Sequence, residues 1–270
     1  GTWSQVAELT ATGGASNDYF GQTVAIDGST CVIGAPGTDS FTGSAYVFTN
    51  TGGTWSQVAE LTATGGASND QFGQTVAIDG STCVIGATGT GSAYVFTNTG
   101  GTWSQAEELT ATGGASGNQF GDSVAIDGNT CVIGAWGTNS NTGSAYVFAN
   151  FPSRWSQIAV LTAIGGASGD NFSFSVAIDG DTCVIGASGT DSSTGSAYVY
   201  DSVATGACCY DGLCFSITES ECTAVGGSFT AEACSADTAC PTPCSSDVDN
   251  DGDIDIQDLL QMLTDWGACP

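Results

Sequence analysis

The chain has 270 residues, with 28 acidic side chains, one basic side chain (Arg154), no lysine and no histidine, giving a formal net charge of −27 at pH 7. That balance excludes nucleic acid as a partner, because phosphates need Lys or Arg to neutralise them, and it disfavours anionic lipid. Without His or Lys there is no Ser-His-Asp triad, no Cys-His pair and no Schiff-base or phosphate-loop lysine. Only carboxylates, or a metal held by them, remain for acid–base work, so the expectation is a protein that is not an enzyme. No apolar run approaches the roughly 18 residues that suggest a membrane span, and no membrane insertion is expected. Gly1 opens inside a repeat pattern with no visible secretion signal, so the expectation is a processed product or a fragment.

The first predicted elements recur. Trp3, Trp55, Trp103 and Trp155 mark periods of 52, 48 and 52 residues. The second copy is shorter because residues 39–42 have no counterpart between Thr90 and Gly91. Periods of this size indicate a propeller, a solenoid or an array. Each copy reads as four strands: TWSQVAEL, FGQTVAI, TCVIGA and SAYVF. They are rich in the β-branched and aromatic residues that favour strands. Asp-Gly between the second and third (Asp27-Gly28, Asp79-Gly80, Asp127-Gly128, Asp179-Gly180) supplies a tight turn. Thr-Gly-Gly does the same between SAYVF and the next TWSQ at Thr51–Gly53 and Thr99–Gly101. No helical periodicity appears in the first 200 residues. The copies span about 1–50, 51–98, 99–150 and 151–205 of an all-β domain.

Phe20-Gly21 followed by Gly34-Ala35-Pro36, with Tyr-Val-Phe closing the copy, resembles the FG-GAP repeat, the blade unit of the integrin α-subunit propeller and of many secreted bacterial proteins. Later copies drift to Gly86-Ala87-Thr88, Gly134-Ala135-Trp136 and Gly186-Ala187-Ser188, with Phe172-Ser173 in place of Phe-Gly. The resemblance implies four β-propeller-type blades, as a closed small propeller or an open repeat array. Propellers of the family usually have seven blades, and integrin blades carry a DxDxDG calcium loop that none of these copies contains. No blade calcium is therefore carried over.

The two ends of the repeat block are complementary. Residues 2–9 (TWSQVAEL) have no preceding SAYVF, and residues 196–200 (SAYVY) have no following TWSQ. An unpaired edge is a template for another strand. The ends either close on each other within one chain or pair head to tail between chains.

Composition changes after Asp201. Residues 206–241 hold Cys208, Cys209, Cys214, Cys222, Cys234 and Cys240. Clustered cysteines in a short, loop-rich segment read as a disulfide framework and an extracellular or cell-surface setting. The spacing resembles small Cys-rich modules near the C-termini of large secreted bacterial proteins. Pro241-Thr242-Pro243 is a stiff linker. In the last module, 242–270, Asp247, Asp249, Asp251, Asp253, Asp255 and Asp258 fit a 12-residue EF-hand-type calcium loop with Gly252 at its turn. Calcium is the one cofactor expected. An amphipathic QDLLQMLTDW helix follows. This tail resembles half of a dockerin, with one loop where dockerins carry two. Cys244 and Cys269 flank it and are expected to pair, in place of the support of a second loop.

Cys31, Cys83, Cys131 and Cys183 occupy one equivalent position on the third strand, where Cys31, Ile33 and Ala35 share a face. They read either as small buried hydrophobes or as cross-links between repeats. Asn171-Phe172-Ser173 is the single N-x-[ST] sequon, making Asn171 a candidate N-glycan site. Taken together, these features predict a secreted, non-catalytic structural or assembly protein. It would be a cell-surface, matrix or fibre subunit that self-associates by strand complementation between repeat ends. The alternative is an adhesive propeller binding extracellular proteins or glycans, with Tyr19, Phe41 and Trp136 as the loop aromatics that vary between copies.

Overall fold

The computed structural model describes residues 1–114, 117–150, 154–202, 205–210 and 213–218. The chain divides into two units, Gly1–Asp201 and Ser202–Pro270.

The first unit is four antiparallel sheets in chain order. Sheet 1 contains β1 (Val24–Asp27), β2 (Thr30–Ala35), β3 (Ser44–Thr51) and β4 (Thr54–Leu61). Sheet 2 contains β5 (Phe72–Asp79), β6 (Thr82–Ala87), β7 (Ser92–Thr99) and β8 (Thr102–Leu109). Sheet 3 contains β9 (Ser123–Asp127), β10 (Thr130–Ala135), β11 (Ser144–Asn150) and β12 (Trp155–Leu161). Among the described residues sheet 4 has three strands, β13 (Phe172–Asp179), β14 (Thr182–Ala187) and β15 (Ser196–Asp201).

The sheets are out of phase with the sequence repeats. From the second copy on, each TWSQ-type segment pairs with the SAYVF strand before it, so a complete sheet takes its outer strand from the following copy. The Gly52-Gly53 and Gly100-Gly101 turns make this hairpin possible: both glycines adopt positive φ, and Asn50 Oδ1 accepts the Gly53 N–H at 2.9 Å. Residues 2–9, expected as a strand, lie in no ladder and are almost wholly exposed. Among the described residues no closed sheet forms: β15 stands at the edge of its sheet without a fourth strand.

The three short connections Thr38–Phe41, Thr138–Asn141 and Thr190–Ser193 are left-handed turns, with Asp39, Ser40 and Phe41 at φ of 49°, 61° and 64°.

Both faces of β6 and of β10 are used. Cys83, Ile85 and Ala87 of sheet 2, with Phe72, Tyr94 and Phe96, pack on Val32, Ala45 and Val47 of sheet 1. The same two faces meet between sheets 2 and 3 and between sheets 3 and 4. Each interface is centred on a phenylalanine held edge-on to two aromatic rings, as Phe72 is to Tyr94 and Phe96 at 5.5 and 5.8 Å. The core is thus a series of equivalent layers, one between each pair of consecutive sheets.

In the second unit, β16 (Thr205–Tyr210) and β17 (Leu213–Thr218) form an antiparallel hairpin that places Cys209 opposite Cys214 and Cys208 opposite Phe215 in register.

Candidate functional site

The recurring junction between sheets is the most specific arrangement in the molecule. It begins with the Asp-Gly turn. Asp27 Oδ2 accepts the Gly80 N–H at 2.8 Å, Asp79 Oδ2 accepts that of Gly128 at 2.7 Å, and Asp127 Oδ2 accepts that of Gly180 at 2.6 Å. Each turn carboxylate therefore ties down the turn of the next copy, by a charge-assisted bond to a backbone N–H.

The Phe-Gly and Gly-Ala segments supply close backbone approach. A Cβ on Gly34 would lie 2.0 Å from the Gly73 carbonyl oxygen, and one on Gly86 would lie 1.9 Å from that of Gly121. Only glycine admits the neighbouring chain there. In the fourth copy Ser173 replaces the second glycine. It is buried, donates its hydroxyl to the Ser144 carbonyl at 2.6 Å and accepts the Ala135 N–H at 2.9 Å. The Phe72 N–H donates to the Thr42 carbonyl and the Phe172 N–H to the Thr142 carbonyl, both at 3.0 Å.

A third set lies at the outer strand. Gln57, Gln105 and Gln157 accept the N–H groups of Thr12, Thr64 and Thr112 at 2.8, 2.8 and 2.9 Å. Glu60 accepts the hydroxyls of Ser44 and Tyr46, and Glu108 those of Ser92 and Tyr94. Burial, and then the Glu60 charge, push the Tyr46 hydroxyl above its ordinary range. Sheet 3 has Val160 at this position, and there Thr138 Oγ1 donates to Ser144 Oγ at 3.0 Å.

Both ends of the series lack these partners. At the head, Val24 and Ile26 are 66% and 65% exposed, against 7% for the equivalent Val76. Nothing lies within 4 Å of a Cβ on Gly21. At the tail, Val184 and Val199 are 41% and 65% exposed, whereas Val32, Val84, Val132, Val47 and Val95 are fully buried.

The four repeat cysteines are free, buried thiols. Cys83, Cys131 and Cys183 lie in three different inter-sheet layers, and Cys31 packs under Leu9, Ala11 and Phe20. A cross-link between copies would have to pass through an intervening sheet, and none is present. Burial raises all four thiols, that of Cys83 to about 12.

Two aromatic pairs sit outside the layers. Tyr19 and Phe41 are 6.2 Å apart between ring centroids. Trp136 and Phe174 are 6.3 Å apart, with Trp136 Nε1 donating to Asp122 Oδ2 at 2.9 Å. Burial raises the Asp122 carboxyl, and the bond from Trp136 opposes the shift. Asn171 stands at positive φ, with its backbone N–H bound to the Asn141 carbonyl. The calcium-loop aspartates Asp247 to Asp258, together with Cys222, Cys234, Cys240, Cys244 and Cys269, lie outside the described residues. Among the described residues no group of three metal-ligating side chains comes together, and no helix is long and apolar enough to cross a membrane.

The FG-GAP repeat model matches residues 3–48, 55–96, 103–148 and 155–200. The chain belongs to the FG-GAP repeat family. Comparison with curated proteins gives no match. Solved structures similar to this chain include Sqt1 of Saccharomyces cerevisiae, at 14% identity over 77% of this chain and 49% of that one, TM-score 0.44. A protein from Lactobacillus plantarum is similar at 12% identity over 67% and 56%, TM-score 0.42. Sqt1 of Chaetomium thermophilum is similar at 15% over 69% and 44%, TM-score 0.47. This chain spans about half the length of these structures. The four FG-GAP copies account for the four sheets, and the match fits the period read from the tryptophans.

The Asp-to-Gly bonds between successive turns were not anticipated from the sequence. Their only signal was recurrence: an Asp-Gly pair in every copy serves as a turn locally and as a tie at long range. Phe174 was also missed, because it breaks the pattern set by Gln22, Gln74 and Asp122.

Proposed function

We propose that this FG-GAP protein is a non-catalytic structural or assembly component of the cell surface or extracellular matrix, a fibre subunit that grows by strand complementation between repeat ends. One observation carries the reading. Residues 2–9 have the same sequence as β4, which completes sheet 1, yet they lie in no ladder, while among the described residues β15 is an open edge in the one repeat sheet that lacks this strand. Laid on β15 in the register of β4 on β3, residues 2–9 set Glu8 opposite Tyr198, as Glu60 is opposite Tyr46. An edge of this kind invites a strand from another chain. Family membership and the cysteine-rich C-terminal quarter support an extracellular location. The reading includes one calcium ion, held by Asp247, Asp249, Asp251, Asp253, Asp255 and Asp258.

Electron microscopy of the purified protein tests it. Filaments with a uniform axial repeat are expected, and a Gln5→Pro/Ala7→Pro double variant, whose prolines disfavour a paired strand, is expected to form none. Discrete particles at every concentration would overturn the reading.

A second reading, an adhesive module for protein or glycan ligands, has the Trp136–Phe174 pair in its favour. Phe174 is half exposed, and Asp122 orients the indole beside it. Saturable glycan binding that Trp136→Ala removes is its expected outcome.

A further inference from the structure

Resting on the strand-exchange reading, we propose that the partner is a second copy of this chain docked through a complete blade junction. In it, sheet 1 of one molecule stacks on sheet 4 of the other just as consecutive sheets stack within the chain. Strand addition alone would use only the β15 edge. The contacts inside the molecule specify far more, and each has one half left over at the tail and the other half at the head.

The apolar faces come first. The layer between sheets 1 and 2 sets Val32, Ala45 and Val47 against Val76, Ile78 and Cys83. The tail presents Val184, Ala197 and Val199 in the positions of the first set, all exposed. The head presents Val24 and Ile26 in the positions of the second, on the same face as Cys31 because Ile26 pairs with Cys31 in register. Both surfaces are apolar and have the composition of a layer that closes three times within one chain.

The polar ties follow the same rule. Among the described residues, Asp179 is the one turn aspartate with no following turn to hold, and the Gly28 N–H is the one turn donor with no carboxylate. Ile164 stands where Thr12, Thr64 and Thr112 donate to a glutamine, and Gln5 is the glutamine left over.

Backbone clearance agrees. Gly34, Gly86 and Gly134 each face the carbonyl of the next copy's Phe-Gly or Phe-Ser segment, whereas the nearest atoms to Gly186 are those of Ser175 in its own sheet. Gly43 and Gly143 are packed against the Phe72 and Phe172 backbones, while Gly195 has nothing nearer than 3.8 Å. The space beside Gly186 and Gly195 is the space that Phe20-Gly21 of a second copy fills. One rigid-body operation satisfies strand, face, carboxylate and glycine together. The interface is heterologous: it joins the tail of one copy to the head of the next, and it propagates as an open series where the rotation between copies does not close a ring.

Sedimentation velocity on the full chain tests this with Val24→Arg at the head and Val199→Arg at the tail. Both side chains are exposed in the single chain, so folding should tolerate the charge, and circular dichroism and thermal unfolding check that it does. Placed in a closed layer, either arginine is a buried unpaired charge. Wild type is expected to form a concentration-dependent series of species, and each variant to stay monomeric, with association weakened by about a hundredfold or more. An equimolar mixture is expected to give a discrete dimer, because Val199→Arg keeps its head and Val24→Arg keeps its tail. If both variants associate like wild type while the double-proline variant does not, strand addition stands and face docking is overturned. A mixture that stays monomeric overturns the head-to-tail pairing. Wild type that is monomeric throughout overturns this proposal and the reading beneath it.

Discussion

Cys83 lies between the first and second sheets with no exposed surface, and burial pushes its thiol from the ordinary 9.0 up to about 12. The consequence for stability has a definite sign. Between pH 9 and 12 the unfolded thiol loses its proton while the folded one keeps it, so the folded state binds more protons and stability falls as pH rises through that window. Below pH 9 the contribution is complete. Cys83→Ala is expected to lower stability by about 1 kcal/mol at pH 7 through lost packing and to flatten the decline above pH 9. Urea unfolding midpoints at pH 7, 9, 10 and 11 measure both effects. A decline as steep as that of wild type would mean that Cys83 is not its source. The sequence placed this cysteine on a strand face but left open whether it packed or cross-linked. Strand alternation names the face a residue shares; it does not say how far away the equivalent residue of the next copy lies. The intervening sheet settles that distance.

At the scale of the element, the hairpins were readable and the junctions were not. Thr-Gly-Gly between SAYVF and TWSQ dictates a tight reversal, and both glycines take positive φ as that turn requires. Hence the pairing of β4 with β3 and of β8 with β7 followed from local chemistry. The left-handed connection Thr38–Phe41 had no such signal, since three consecutive non-glycine residues at positive φ run against intrinsic preference and are held by the tertiary setting. The glycine contacts are also long-range. Gly86 and Gly186 share the sequence Val-Ile-Gly-Ala, but a Cβ on Gly86 meets the Gly121 carbonyl oxygen at 1.9 Å, and the nearest atom to one on Gly186 is the Ser175 hydroxyl at 2.4 Å. A hydroxyl can rotate away, whereas a backbone carbonyl in a packed layer cannot. Gly86→Ala is therefore expected to destabilise the protein by several times more than Gly186→Ala, about 3 kcal/mol or more against about 1. Thermal unfolding of the two variants at low protein concentration checks this, and equal losses would show that the Gly121 approach does not constrain the fold. The same pair should change places in an assembly assay, where Gly186→Ala blocks the position of the incoming Gly21.

For the whole molecule, charge and shape act in opposite directions. Copies that each carry −27 repel, and the chain's single base forms only an exposed pair with Glu107 at 3.7 Å, which contributes little. The proposed junction is held by apolar layers, backbone ladders and carboxylate-to-N–H bonds, none of which relies on opposite charges meeting. Salt should then strengthen association: at an ionic strength of 0.01 M the screening length is about 30 Å and neighbouring copies feel each other's full charge, while at 0.15 M it is about 8 Å. This is opposite to the behaviour of an interface formed by oppositely charged patches, which salt weakens. The onset concentration for assembly, followed by light scattering, is expected to fall by about tenfold or more between 10 and 150 mM sodium chloride. The Val24→Arg and Val199→Arg variants should stay dispersed at both. An onset that rises with salt would show that the ends meet through charge, and would remove the apolar faces of sheets 1 and 4 as the driving surface. The head and tail have to be complementary in shape because, at this net charge, complementarity of sign is not available to bring them together.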